Sequence, residues 1–114
     1  MLIGYVSKRI EGICTSKVKA RKVLPNDEHI NRLFHRLTML AAYSTLAEIP
    51  ILSSPLQLHP LRADRKGSWA VSIKGKWRIC FRPAGECRYE PDGSVVPQTV
   101  TEIEIVEIVD YHDG

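Results

Sequence analysis

Residues 68–82 read SWAVSIKGKWRICFR. Two runs rich in β-branched and aromatic residues flank Lys74-Gly75-Lys76, and Gly75 supplies the positive φ that a tight reversal favours. The stretch is therefore predicted as a β-hairpin: strand 68–73, turn 74–76, strand 77–82. Alternation on the return strand puts Trp77, Ile79 and Phe81 on one face and Arg78, Cys80 and Arg82 on the other. The aromatic face has to be core. The opposite face carries two guanidiniums in a row, suited to an anion on a concave sheet; the plainer alternative is a buried arginine tied to Asp110.

Working outward, the chain supplies the elements that would cover such a hairpin. LIGYV (2–6) is predicted as a short strand. Residues 7–24 are rich in lysine and interrupted by Gly12, and support only a short helix somewhere in 15–23. After Pro25, Asn26 is a good N-cap with Asp27 and Glu28 in the first turn. Ile30, Leu33, Phe34, Leu37, Leu40, Ala41 and Ser44 then recur on one helical face, with Arg32, His35, Arg36 and Thr38 off it. That helix is predicted over 27–47 and ends before Pro50. Residues 51–60 read as a connector, and 83–98, rich in Pro and Gly, as a long loop or a small hairpin extension. The last strand, 99–112, alternates Ile with Glu until the slip at Val106-Glu107-Ile108, which marks a bulge or burial on both faces. The expected fold is α+β: one or two N-terminal helices packed on a twisted, mainly antiparallel sheet, in a single domain spanning 1–114.

Composition sets the surroundings. The chain has 114 residues, 44% hydrophobic and 25% charged, enough to bury a core without staples. No stretch is long enough for a membrane span, and no secretory pattern opens the sequence, so no membrane partner and a cytoplasmic location are expected. Three cysteines without a C-x-x-C pair argue against a disulfide framework or a zinc site, and neither metal nor cofactor is expected. Residues 1–82 hold 15 Lys/Arg and 5 Asp/Glu (+10), while 83–114 hold 1 and 8 (−7), together the overall +3. A basic body points to a polyanionic partner, or else is an ordinary solvated surface beside an acidic strand.

Two further segments carry chemistry. In LHPLRADRKGSW (58–69), His59 precedes a loop with Arg62, Arg65 and Lys66. Cations beside one imidazole can hold a phosphate while the ring moves a proton. The bland reading is a solvated loop with His59 packed on Pro60. At the other end, VEIVDYH (106–112) closes a strand with Asp110, Tyr111 and His112. A carboxylate can orient an imidazole or tune its pKa. If the strand continues, Asp110 and His112 share a face and Tyr111 looks away. The bland reading is a frayed polar end.

Taken together, residues 56–82 and 103–112 resemble the HigB branch of the RelE-like toxins, the killer proteins of bacterial toxin–antitoxin systems. The resemblance implies a RelE-like fold and ribosome-dependent, metal-free cleavage of mRNA that stops translation and growth. It also implies neutralisation by a helix-turn-helix, HigA-type antitoxin, through which alone the pair would touch operator DNA. By residue, it implies catalytic roles for His59, Arg78, Asp110, Tyr111 and His112, and RNA or phosphate binding by Arg62, Arg65 and Lys66, with Arg82 added from its place on the arginine face. The family often has Lys-Gly where this chain has Arg62-Ala63, and the 83–98 excursion exceeds its usual link. Two readings compete with an endoribonuclease: a catalytically weak RelE-like module acting with its antitoxin in transcriptional autoregulation, and an unrelated basic nucleic-acid-binding domain.

Overall fold

The computed structural model describes residues 1–53 and 55–110. The elements run β1 (Leu2–Tyr5), α1 (Lys8–Thr15), α2 (Lys17–Arg21), α3 (Asp27–Ala42), β2 (His59–Pro60), β3 (Trp69–Lys74), β4 (Trp77–Pro83) and β5 (Glu102–Asp110), with short 3-10 turns at Leu46–Glu48, Ala63–Arg65 and Pro97–Thr99. One mixed sheet has the order β1-β5-β4-β3-β2. The β1–β5 pair is parallel and the other three pairs are antiparallel. The α+β architecture with a mainly antiparallel sheet is as expected.

The hairpin forms as its alternation requires. Ile79 and Phe81 are fully buried, and Trp77 packs at the margin of the same core. Val71 and Ile73 from β3, and Ile103, Ile105 and Ile108 from β5, complete the apolar face. Ile10, Ile13, Ala20, Ile30, Leu33, Leu37 and Leu40 from the three helices cover it. Each such side chain contributes about 1.5–3 kcal/mol on leaving water.

The helices depart from expectation in three places. Residues 8–15 form a helix although Gly12 interrupts them: Ser7 caps it by accepting from the Ile10 amide, and the stem of Lys19 lies across Gly12, where a Cβ would come within 2.7 Å of Lys19 Cδ. Gly12 lets α1 and α2 approach closely. Second, α3 starts at Asn26 as predicted, with the His29 amide donating to Asn26 Oδ1 at 3.1 Å, but ends at Ala42. Tyr43 turns extended so that Leu46 and Ile49 can enter the core, and the Leu46 amide donates to the Val100 carbonyl at 3.1 Å. Third, Arg36 lies not on the solvent side but buried, 7% exposed, with Nε donating to the Ser72 carbonyl at 3.1 Å. Burial lowers its pKa, yet a guanidinium remains charged at any relevant pH.

Residues 83–98 are a small hairpin extension closed by the Tyr89–Val95 bridge. The expected slip in β5 is a bulge: Cys80 pairs with Glu107, but Phe81 pairs with Ile105. Val106 is the extra residue. The bulge returns Ile108 to the core and turns Glu107 to the opposite face. Among the described residues, no helix is long and apolar enough to cross a membrane.

Candidate active site

The face of the sheet away from the helices carries the arginines of β4. Pairing register aligns residues in rows across it, with neighbouring strands ~4.8 Å apart. One row reads His59, Ala70, Cys80 and Glu107. The next reads Ser72, Arg78 and Val109, and at the far end Arg82 pairs with Glu104. Leu61, Ala70 and Cys80 form a small second apolar cluster, with Val109 packed against it. That cluster pins loop 61–68 onto the sheet, and the Leu61 amide donates to the Ser68 carbonyl at 2.9 Å.

The loop holds its cations by an unusual backbone. Ala63 has φ +58°, in the left-handed region, at the position where the resemblance leads one to expect glycine. Gln57, two residues before His59, is also left-handed at φ +49°. His59 is half-buried, and its Nδ1 lies 3.1 Å from the Gln57 carbonyl. A carbonyl can only accept, so Nδ1 carries the hydrogen of this bond, and a neutral ring keeps its lone pair on Nε2. That is the tautomer a general base requires. Left-handed residues on both sides of a candidate proton carrier fit the tendency of backbone strain to gather at functional sites.

The cations on this face differ in how they are held. Arg65 meets Glu107 at 3.1 Å and reaches Cys80 Sγ at 3.8 Å. Arg82 donates from Nε and Nη2 to Glu104 Oε1, the first at 3.1 Å. Arg78 donates to the carbonyls of Gly75 at 2.6 Å and Trp77 at 3.0 Å, which ties it to the hairpin turn. Its expected alternative partner, Asp110, pairs in register with Trp77 and so belongs to the helix side, opposite Arg78. Arg62 and Lys66 are exposed, and no described carboxylate lies within ion-pair distance of Arg62. Cys80 is no nucleophile: burial pushes its thiol up to about 11, with Arg65 pulling the other way, so the thiol stays protonated near neutral pH.

The face thus carries His59, Arg65, Arg78 and Arg82, with Arg62 and Lys66 exposed on the loop that Leu61 anchors to it. Asp110 stands apart. It is exposed at the end of β5, three strands and three residues from the His59 row, a backbone separation on the order of 17 Å by strand geometry. Tyr111 and His112 lie outside the described residues. Among the described residues no group of three His, Cys, Asp or Glu could hold a metal ion. Alternation of Ile with Glu suggests a solvated glutamate face, yet Glu104 and Glu107 hold arginines of this face. For Glu107 the visible signal was the broken alternation at Val106.

The chain can be set beside known proteins at this point. No family model matches it. Over 44 residues it is 41% identical to the endoribonuclease HigB of Proteus vulgaris, covering 38% of this chain and 48% of that protein. The chain thus matches about half the length of this curated relative. In structure it is similar to a YoeB/ParE toxin from Agrobacterium tumefaciens, with a TM-score of 0.56, 13% identity, and coverage of 98% of this chain and 100% of that one. The structural likeness shows that the fold is RelE-like.

Proposed function

We propose that the chain is the toxin of a type II toxin–antitoxin pair, an endoribonuclease that cleaves mRNA on the ribosome and so arrests translation. The observation that carries this reading is one sheet face bearing a half-buried imidazole, its Nδ1 against the Gln57 carbonyl, beside a loop and a strand that carry five cations.

In metal-free cleavage, His59 Nε2 or His112 takes the 2′-hydroxyl proton. The 2′-oxygen bonds to phosphorus as the bond from phosphorus to the 5′-oxygen breaks, and an acid returns a proton to the leaving oxygen. The products are a 2′,3′-cyclic phosphate and a 5′-hydroxyl. Arg78, aided by Arg62 and Lys66, offsets the charge that builds on the phosphoryl oxygens. For Asp110 to orient the histidine two residues on, and for Tyr111 to stack on a base or hold a phosphate oxygen, the chain past β5 has to turn back over the arginine face, because Asp110 itself pairs with Trp77 on the helix side. Lys8, Arg9, Lys17, Lys19, Arg21 and Lys22 are exposed on α1, α2 and the residue after them, which pack on the opposite side of the sheet. They suit the backbone of structured RNA such as that of the ribosome. A HigA-type helix-turn-helix antitoxin neutralises the toxin in the cytoplasm and supplies the operator contacts of the complex.

The ion pairs already made by Arg65 and Arg82 favour a second reading, a catalytically weak partner-binding module. Induced expression separates the two. The endonuclease reading expects growth arrest, new 5′-hydroxyl ends on ribosome-bound mRNA, and loss of both in His59→Ala and Arg78→Ala, by about 10²–10⁴-fold for a lost proton carrier. Arrest without new ends, or cleavage that survives both substitutions, overturns it.

A further inference from the structure

Two carboxylates on β5 take up two of the arginines that a polyanion would need. Arg65 and Glu107 meet as a two-pronged pair, Nη1 to Oε2 at 3.1 Å and Nη2 to Oε1 at 3.4 Å. Arg82 turns Nε and Nη2 together onto Glu104. This forked approach is also how a guanidinium reads a phosphate. Glu107 reaches the cationic face only because of the bulge at Val106: unbroken alternation from Ile105 would turn residue 107 into the core. Neither pair is buried. The arginine side chains are 34% and 51% exposed and their glutamates 39% and 29%, so each pair is weak enough to open to solvent.

We propose that Glu104 and Glu107 are positioning residues that occupy phosphate seats: they hold Arg82 and Arg65 in the forked geometry, and consecutive phosphates of a single-stranded RNA displace them. The proposal rests on reading this face as the RNA site. Its consequence is selectivity by charge density. A ligand with one isolated anion gains little by exchanging one carboxylate for another, whereas a polyphosphate backbone displaces both and fills Arg62, Lys66 and Arg78 as well. The glutamates therefore lower affinity for every anion, so that a lone phosphate with one contact fails to bind while a strand that also fills Arg62, Lys66 and Arg78 still does.

The test uses the full chain and a non-cleavable single-stranded 2′-O-methyl RNA oligonucleotide, titrated across a salt series, with inorganic phosphate as the comparison. Glu104→Gln and Glu107→Gln keep a hydrogen-bond acceptor for each arginine and remove the competing charge. Each is expected to tighten RNA binding by up to about fivefold, the scale of a half-exposed ion pair, and the double variant by more than either. Inorganic phosphate, which fills a single seat, should gain no more than the strand gains in either single variant. Unchanged or weaker RNA binding in folded variants, checked by thermal melting, overturns the proposal. If Glu107→Gln melts below the assay temperature, Glu104→Gln decides alone by the same two outcomes. Arg65→Ala and Arg82→Ala separate this idea from its premise. If both bind RNA as tightly as the wild type, the face is not the RNA site. If they weaken binding while the glutamine variants leave it unchanged, only the seat-holding role fails.

Discussion

Replacing Ala63 with glycine should stabilise the protein, although glycine for alanine is ordinarily a loss. Ala63 is exposed and sits at φ +58°, and its carbonyl accepts from the Lys66 amide at 3.1 Å. An L-residue in this region gives up ~1–2 kcal/mol to contact between Cβ and the following carbonyl. Glycine removes that contact, but the freer unfolded chain returns ~0.4–1 kcal/mol of the gain. The exposed methyl buries nothing of note. The net expectation is ~0.5–1 kcal/mol of added stability, or a melting temperature higher by about 2–5 °C for a chain of this size. Ala20→Gly is the contrasting control, because Ala20 lies fully buried within α2; it should lose about 1–2 kcal/mol from helix propensity and the missing methyl. Thermal and urea melts of the three proteins give the comparison. A melting temperature for Ala63→Gly at or below that of the parent would show that residue 63 is not held left-handed, and that loop 61–68 does not present Arg62 and Arg65 as described.

Arg36→Ala should cost about 2–3 kcal/mol in urea unfolding, because it leaves the half-buried Ser72 carbonyl without its donor and removes a long buried stem; a loss under 0.5 kcal/mol would mean the Arg36 contact adds nothing. Burial pushes the Cys14 thiol up to about 12 and that of Cys80 up to about 11. Both folded values lie above that of an exposed thiol, so the stability they contribute is complete below about pH 8.5 and lost as the pH rises through 9 towards 11–12. Stability measured from pH 8 to 10.5 should fall, and fall less in Cys14→Ala; equal slopes would rule out the thiol as the cause. Native thiol labelling should modify half-buried Cys87 well before Cys14 and Cys80, and equal rates at all three would contradict their burial.

The elements most legible in the sequence were those whose signals are local. Gly75 between two β-branched runs announced the hairpin, and Asn26 ahead of two acids announced α3. Both reflect choices made within a few residues. What escaped depended on distant partners. Gly12 looked like a helix breaker because its purpose, room for the Lys19 stem, lies seven residues on. Arg36 looked like a solvent residue because its acceptor, the Ser72 carbonyl, is supplied by a strand 36 positions away. β2 has only two residues and no periodicity of its own; its pairing with Ala70 and Trp69 creates it. At the site, the loop cations and His59 stood out as residue types, but the carboxylates that hold two of the arginines did not. Three glutamates alternating with isoleucine describe a solvated edge, whereas β5 is an inner strand whose outward face borders β4.

That inner position has a consequence for biosynthesis. β5 separates β1 from β4, and it is the last of the described strands in chain order. Before some hundred residues have been joined, β1 has no neighbour to pair with and the underside of the helices has only half its lid. A nascent chain therefore stays without its finished sheet, and without Glu104 and Glu107 beside the arginines, until translation has passed Asp110. Among the described residues the sheet is therefore completed from its middle, by the strand that comes last in chain order.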